Sequence, residues 1–85
     1  MTVSRETRLK MLKIRAWRRG TKEMDLLLGP FADGPLRALD DVDLDRFEAL
    51  MDEPDDMLYK WVSGETDAPR HPEILAKIRA FHGIG

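Results

Sequence analysis

The residues that could do chemistry are concentrated in one junction, residues 17–25, which reads WRRGTKEMD. Arg18 and Arg19 carry planar guanidinium groups that can grip carboxylates or carbonyl oxygens, and Glu23 can accept hydrogen bonds from donors on another molecule. The same residue types also suit two helix ends, because cations stabilise a helix C-terminus, Gly20 can adopt a left-handed conformation and Glu23 favours a helix N-terminus. Residue types alone leave both interpretations open, a turn or a turn that is also a contact surface.

A second candidate is a run of carboxylates that imitates a calcium-binding loop. Its members are Asp41, Asp43, Asp45 and, at the twelfth place, Asp52. The sixth place of such a loop needs glycine for a sharp turn, but this chain has Arg46 there. We therefore interpret the run as the solvated start of a helix, where acidic side chains complement the helix dipole.

Catalytic and cofactor-binding patterns are missing from the sequence. The two histidines, His71 and His82, have no carboxylate at a spacing that suggests a metal site or a catalytic pair. There is no cysteine, no glycine-rich phosphate loop and no nucleophile motif. We expect a protein that is not an enzyme, that holds no metal and that binds no cofactor itself.

Charge is distributed unevenly along the chain, although the net charge is only −2. Through Lys22 there are eight Lys and Arg residues against one Glu, whereas residues 23–70 hold fourteen acids against four cations. A basic helix can track phosphates, but the acidic remainder would repel a polyanion, so we expect no nucleic-acid partner. An acidic protein surface stays open as an alternative target.

Hydrophobic periodicity predicts five short helices. The first spans about residues 4–18, with Ser4 as its N-cap, and Gly20 ends it. The second is capped by Thr21 and is disturbed or ended near Gly29 and Pro30. Their inward faces are predicted to be Leu9, Leu12, Ala16 and Trp17, then Met24, Leu27, Leu28 and Phe31.

Three further helices are predicted in the second half. Asp41 or Asp43 opens the third, Pro54 lies in the first turn of the fourth, and the fifth has Pro72 at its first position, placing His71 at the N-cap. Gly64 and Gly83 end the last two. Their inward faces are predicted to be Leu44, Phe47, Leu50 and Met51, then Met57, Leu58, Trp61 and Val62, then Ile74, Leu75, Ile78 and Phe81.

Length and composition agree with one small helical domain. The chain has 85 residues and no run of about 18 apolar residues that could span a bilayer. No window alternates with the period of a strand. We predict an all-α protein, a single small bundle of about five short helices over residues 1–85, which is cytoplasmic, has no membrane partner and begins at its mature N-terminus.

Three segments together resemble the SdhE family of FAD assembly factors. Arg19-Gly20-Thr21-Lys22-Glu23 matches the RGxxE signature of that family, and Met24-Asp25 fits its continuation with a conservative change. Pro30-Phe31 stands at the family's spacing after the glutamate, and Leu58-Tyr59-Lys60-Trp61 resembles the end of its acidic segment. The resemblance is strong as far as Trp61 and weaker beyond it, where the last loop is acidic and poor in glycine.

The resemblance implies a five-helix bundle that binds the flavoprotein subunit of succinate dehydrogenase and promotes its covalent attachment to FAD. FAD is then bound by the partner subunit and not by this chain, fumarate reductase is a second conceivable client, and the free factor is a monomer. Independently of the resemblance, the helical spacing of Trp61 in the apolar stripe of the fourth helix predicts that it lies in the core. The residues expected to contact the partner are Arg18, Arg19, Gly20, Glu23, Asp25, Pro30, Phe31 and Tyr59.

Overall fold

Five α-helices and one short 3₁₀ helix make up the fold in the computed structural model, which describes residues 4–84. Helix α1 spans Arg5–Trp17, α2 Lys22–Asp33, α3 Asp41–Met51, α4 Asp55–Ser63 and α5 Pro72–Phe81, and the 3₁₀ helix, Pro35–Ala38, follows α2. No strand occurs within residues 4–84. The predicted all-α class with five helices is confirmed.

The chain packs as two units that divide after Leu39, and each is described by itself. The first unit holds α1, α2 and the 3₁₀ helix, and the second holds α3, α4 and α5. The assignment of residues 1–85 to one domain stays a prediction.

The helix ends of the first unit follow the predicted capping. The Ser4 hydroxyl accepts a hydrogen bond from the backbone N–H of Thr7 at 3.2 Å, and the Thr21 hydroxyl accepts one from Met24 at 3.3 Å. Each bond satisfies a donor that the first turn of a helix leaves without an intrahelical partner. Local sequence therefore decides where α1 and α2 begin.

The sequence predicted that α2 is disturbed or ended near Gly29 and Pro30, but the helix continues through both to Asp33. Proline removes one backbone donor and typically costs about 3 kcal/mol inside a helix. Burial of Phe31 and Ala32, which lie beyond the proline, offsets this cost. The N–H of Gly34 then bonds to the Pro30 carbonyl at 3.3 Å and closes the helix.

Trp17 and Gly29 pack α1 directly against α2. A Cβ atom placed on Gly29 would lie 2.4 Å from a ring carbon of Trp17, so the indole occupies the space that any other residue would need. The indole Nε1 donates to Asp33 Oδ1 at 3.0 Å. The buried hydrophobic side chains of the first unit are Leu12, Ala16, Met24, Leu28, Phe31, Ala32, Leu36 and Leu39.

Helix α3 begins at Asp41, the first of the two predicted starts. Asp40 is the N-cap of α3, and its Oδ1 accepts a hydrogen bond from the N–H of Asp43 at 2.8 Å. Pro54 is likewise the N-cap of α4 and not part of its first turn. Pro72 occupies the first turn of α5 as predicted, and Gly64 and Gly83 follow the ends of α4 and α5 with positive φ.

The core of the second unit agrees with the predicted stripes except at two positions. Met57 is 36% exposed and Phe81 is 44% exposed, whereas both were expected inside. Each lies in a terminal turn of its helix, where fewer neighbours cover a side chain. The ring centroids of Phe81 and His82 are 5.0 Å apart, and the two rings are nearly perpendicular. The buried set is Leu44, Phe47, Leu50, Met51, Leu58, Trp61, Val62, Ile74, Leu75 and Ile78, so the prediction for Trp61 is confirmed.

His71 has the carboxylate partner that the sequence did not reveal. Its Nε2 lies 2.7 Å from Glu53 Oε2, and Arg70 donates to the other oxygen, Oε1, at 3.1 Å. The Arg70 guanidinium also stands 6.0 Å from the centroid of the Trp61 ring. Because Glu53 precedes His71 by eighteen residues, only the packing of α5 against the preceding helices brings them together.

Candidate partner-binding site

The junction between α1 and α2 is a tight, exposed turn. Arg18 is the C-cap of α1, with its N–H bonded to the Arg15 carbonyl at 3.3 Å, and α2 begins at Lys22. Gly20 adopts φ 104°, a conformation that a residue with a Cβ reaches only with strain. The predicted positive φ of Gly20 is confirmed, and the glycine leaves this part of the backbone uncovered.

A hydrogen bond from the backbone to the Asp25 side chain stabilises the turn. Asp25 Oδ1 accepts this bond from the backbone N–H of Arg19 at 3.0 Å. A carboxylate acceptor makes this bond stronger than one between neutral groups. Asp25 therefore has a positioning role that the sequence did not reveal, and its direct contact with a partner stays a prediction.

The outer surface of the turn consists of both charges and backbone. Arg18, Gly20 and Glu23 are exposed, and Arg19 is half-buried and makes contacts within the chain. Glu23 lies in the first turn of α2, where the N-terminal end of the helix dipole stabilises a carboxylate. We call residues 19–23 the RGxxE turn. Within these five residues the chain presents hydrogen-bond donors, a carboxylate acceptor and backbone that no side chain covers.

The remaining predicted contact residues are placed differently. Pro30 is half-buried on α2. Phe31 is only 1% exposed, so its side chain belongs to the core and is not available as a contact surface. Tyr59 lies on α4 in the second unit and is 42% exposed.

Two exposed apolar side chains next to the turn were missed by sequence reasoning. Ile14, 54% exposed, lies one helical turn before Arg18, and Leu26, 53% exposed, lies one turn after Glu23. Residues three or four apart share one face of a helix. The sequence did contain a signal for both residues, because each is three or four positions from a predicted contact residue and so lies on the same side as that residue.

Asp33 lies at the other end of the α1–α2 contact. The hydrogen bond from the Trp17 indole lowers the pKa of Asp33, and Lys13, whose Nζ is 3.3 Å from Oδ1, lowers it further against the opposing effect of desolvation. At the start of α1, Arg5 donates to the backbone carbonyls of Arg37 and Leu39. These contacts hold α1 along its length and so position the RGxxE turn.

The charge asymmetry coincides with the two units. The first unit carries nine Lys and Arg residues against four acids, and the second carries five against twelve. The Asp41 to Asp45 run lies on α3, as predicted for a helix start, with Asp43 paired to Arg46 at 2.9 Å. In the part of the chain that the structure describes, no helix is long and apolar enough to cross a membrane.

The RGxxE turn and the predicted contact residues all lie in a segment that matches a known protein family. The family Sdh5, described as "Flavinator of succinate dehydrogenase", matches residues 10–82, which include the RGxxE turn and all the predicted contact residues. The chain belongs to this family. The predicted resemblance to the SdhE assembly factors is confirmed, because a curated relative in Coxiella burnetii is named FAD assembly factor SdhE.

Individual relatives agree with the family match. The Coxiella burnetii protein is 34% identical over 64 residues, covering 73% of this chain and 78% of the relative. Two proteins named mitochondrial succinate dehydrogenase assembly factor 2 are similar as well. The one from Mycosarcoma maydis is 41% identical over 66 residues, 78% of this chain and 28% of the relative. The one from Schizosaccharomyces pombe is 42% identical over 67 residues, 78% of this chain and 48% of the relative.

The chain spans about half or less of the length of these two fungal relatives. No solved structure matches the chain significantly.

Proposed function

We propose that this protein promotes the covalent attachment of FAD to the flavoprotein subunit of succinate dehydrogenase. The observation that carries the proposal is the family match over residues 10–82. The exposed RGxxE turn, pre-organised by Gly20 and by the Asp25 hydrogen bond, supplies a surface that fits a binding role. We further propose that the protein is not an enzyme, acts in the cytoplasm and is a monomer when free.

The chemistry of attachment belongs to the flavin and to its own subunit. A binding protein assists by stabilising the conformer in which the attachment residue and the flavin ring are aligned. If its affinity for that conformer is greater by about 3 kcal/mol, the population shifts by roughly two orders of magnitude. FAD is held by the partner and not by this chain.

The first unit offers the parts that such an interface needs. Arg18 and Arg19 can grip a carboxylate or carbonyl of the partner, Glu23 accepts from its donors, and the bare backbone at Gly20 permits close approach. Ile14 and Leu26 add apolar surface on the same helix faces, which suits the centre of an interface. A standard interface of about 800 Å² per partner is roughly 15% of the 5365 Å² accessible surface of the chain.

A deletion strain tests the proposal. Succinate dehydrogenase flavoprotein from that strain should carry little covalent flavin, and a plasmid copy of this chain should restore it. In-gel flavin fluorescence of the denatured subunit is the measurement, and immunoblotting of the same subunit controls for its amount. Normal fluorescence in the deletion strain would overturn the assignment.

The charge of the first unit favours a second candidate, a binding module for nucleic acid or an acidic protein surface. Nine cations against four acids can neutralise several phosphates. Salt dependence separates the candidates, because phosphate binding weakens by orders of magnitude between about 50 and 200 mM salt, whereas a packed protein interface weakens less. Retention of the flavoprotein subunit on the immobilised chain across this range supports the first candidate.

A further inference from the structure

A cavity in the second unit has no part in the function proposed above. It lies where the loop after α4 meets α5 and encloses about 290 Å³. Trp61, Pro72 and Leu75 form its apolar lining, and Gly64, Thr66 and Arg79 contribute polar groups and backbone. Its volume is at the lower limit of small-molecule sites, which suits one side chain better than a nucleotide.

Arg79 is the unusual member of this cavity. It lies in the last turn of α5, is half-buried, and its Nε is enclosed without a hydrogen-bond partner among residues 4–84. A terminal nitrogen of the guanidinium lies 3.3 Å from the position of a Cβ on Gly64, so a larger residue there would press on it. A buried donor without a partner costs free energy, so this guanidinium has hydrogen-bonding capacity that the described chain does not use.

The surrounding charges make this arrangement informative. The second unit has twelve acids and five Lys and Arg residues, and Arg46, Arg70 and Lys77 each pair with a carboxylate. Arg79 has no carboxylate within ion-pair distance among the described residues, although Asp67 lines the same cavity. Although the unit is rich in carboxylates, Arg79 at the cavity can therefore still bind an acceptor from another molecule.

We infer that this cavity binds the carboxylate of a glutamate or aspartate side chain on a partner polypeptide. Arg79 would grip the carboxylate through its terminal nitrogens, and the Thr66 hydroxyl is a further donor. Asp67 adds a negative charge that repels a phosphate dianion more strongly than it repels a carboxylate. The net negative charge of the unit repels any anion, so the carboxylate needs a ligand whose apolar atoms offset this repulsion by contacting Trp61, Pro72 and Leu75. The inference does not rest on the proposed function.

Binding of matched peptides to the ¹⁵N-labelled full chain tests the inference. The probes are acetyl-Leu-Glu-Leu-amide and acetyl-Leu-Gln-Leu-amide, which differ only in the carboxylate. NMR shifts of the Gly64 and Thr66 amides and of the Arg79 Nε–H report occupancy. We expect the Glu peptide to bind about ten-fold more tightly, as one charge-assisted contact implies. Equal affinity for the two peptides would overturn the inference.

Variants identify the residue responsible. Arg79→Gln should abolish the preference for the Glu peptide, whereas Lys60→Gln, which removes another cation of the same unit, should leave it intact. Arg79→Lys keeps the charge but loses the planar fork, so it should bind the Glu peptide several-fold more weakly than the wild type. Should Arg79→Gln fail to fold, Arg79→Lys decides alone, and unchanged affinity would overturn the inference. Inorganic phosphate producing the same shifts as strongly as the peptide would also overturn it.

Discussion

At the scale of single residues, the RGxxE turn combines two requirements that can be separated by mutation. Gly20 is needed for its φ of 104°, and the proposed function also needs it as bare backbone against a partner. Asp25 is needed for its bond to the Arg19 N–H. Stability measurements report the first kind of role, and covalent flavin reports the second.

Changing Gly20 to Arg should leave the protein folded but unable to promote flavinylation. The left-handed conformation costs a residue with a Cβ about 1 kcal/mol, whereas an arginine side chain would hold the two backbones apart. Thermal unfolding and in-gel flavin fluorescence in the complemented deletion strain measure the two effects. Gly83→Arg is the matched control, because Gly83 has φ 73° and open space around it. Full flavinylation by a folded Gly20→Arg variant would show that the junction is only a turn.

Glu23→Ala belongs to the same test and should cause at least partial loss of covalent flavin, because donors on the partner would lose their acceptor. Its cost in stability should be below about 1 kcal/mol, as for other acids in a first helical turn. Glu73, in the first turn of α5, supplies the control variant Glu73→Ala. Equal effects of the two variants on flavinylation would argue against a contact at Glu23.

Asp25 should act through the turn and not through its charge. Asp25→Ala removes the acceptor for the Arg19 N–H and should destabilise the protein by about 1 kcal/mol and reduce flavinylation. Asp25→Asn keeps an oxygen acceptor and should retain most of the stability and most of the flavinylation. Urea unfolding and the fluorescence assay measure them. If Asn proves as damaging as Ala, the negative charge itself is required, as a direct contact with the partner would demand.

The pKa of Asp33 should depend on Trp17 more than on Lys13. The indole hydrogen bond is the largest cause that lowers this pKa, so Trp17→Phe should raise it towards the ordinary aspartate value, and Lys13→Gln should raise it less. Because the folded-state pKa is depressed, the stabilisation is present above the ordinary pKa and disappears as pH falls through the folded value. A carboxyl ¹³C NMR titration measures the shifts. A larger effect of Lys13→Gln would contradict this order.

At the scale of elements, the α1–α2 pair depends on the contact between Trp17 and Gly29. This contact and the indole hydrogen bond to Asp33 hold the two helices on either side of the RGxxE turn. The geometry of the turn therefore depends on how Trp17, at the end of α1, packs against the later turns of α2.

Gly29→Ala should destabilise the protein by about 1–3 kcal/mol, as overpacking of a tight contact usually does. A Cβ there would lie 2.4 Å from the Trp17 ring, whereas one on Gly34 would lie 3.9 Å from its nearest neighbour, so Gly34→Ala is the matched control. Urea unfolding gives the free energies. In a Trp17→Ala background the penalty of Gly29→Ala should shrink, and an unchanged penalty would mean that the ring is not its cause.

At the scale of the whole molecule, charge divides the chain into a basic first unit and an acidic second unit. The basic unit carries the RGxxE turn, and the acidic unit carries the Arg79 cavity. A free pyrophosphate finds no glycine-rich loop in the sequence, and the acidic unit repels it.

The isolated protein should therefore bind FAD weakly or not at all. Titration calorimetry with FAD is the measurement, and the apo flavoprotein subunit serves as the positive control. A dissociation constant in the low micromolar range for this chain would mean that it carries a flavin site and delivers the cofactor itself.

The sequence by itself determined the features that depend on neighbours within one helical turn. Ser4 and Thr21 cap their helices through bonds spanning three residues, Gly20 takes the left-handed conformation, and the periodic stripes identify most of the core. The caps, the glycine conformation and the stripes follow from local backbone geometry, which is the same in any chain that has these residues at these spacings. The family resemblance also needed only the spacing of a few residues.

The tertiary structure alone decided contacts between elements. Trp17 meets Asp33 across sixteen residues, His71 meets Glu53 across eighteen, and the Asp25 carboxylate folds back to Arg19. The tertiary structure also changed two predictions. The Phe31 side chain, predicted to contact a partner, is buried in the core, and burial of the residues after Pro30 extends α2 to Asp33. Such outcomes depend on how helices are placed against each other, and the free energy of that packing is not contained in local spacing.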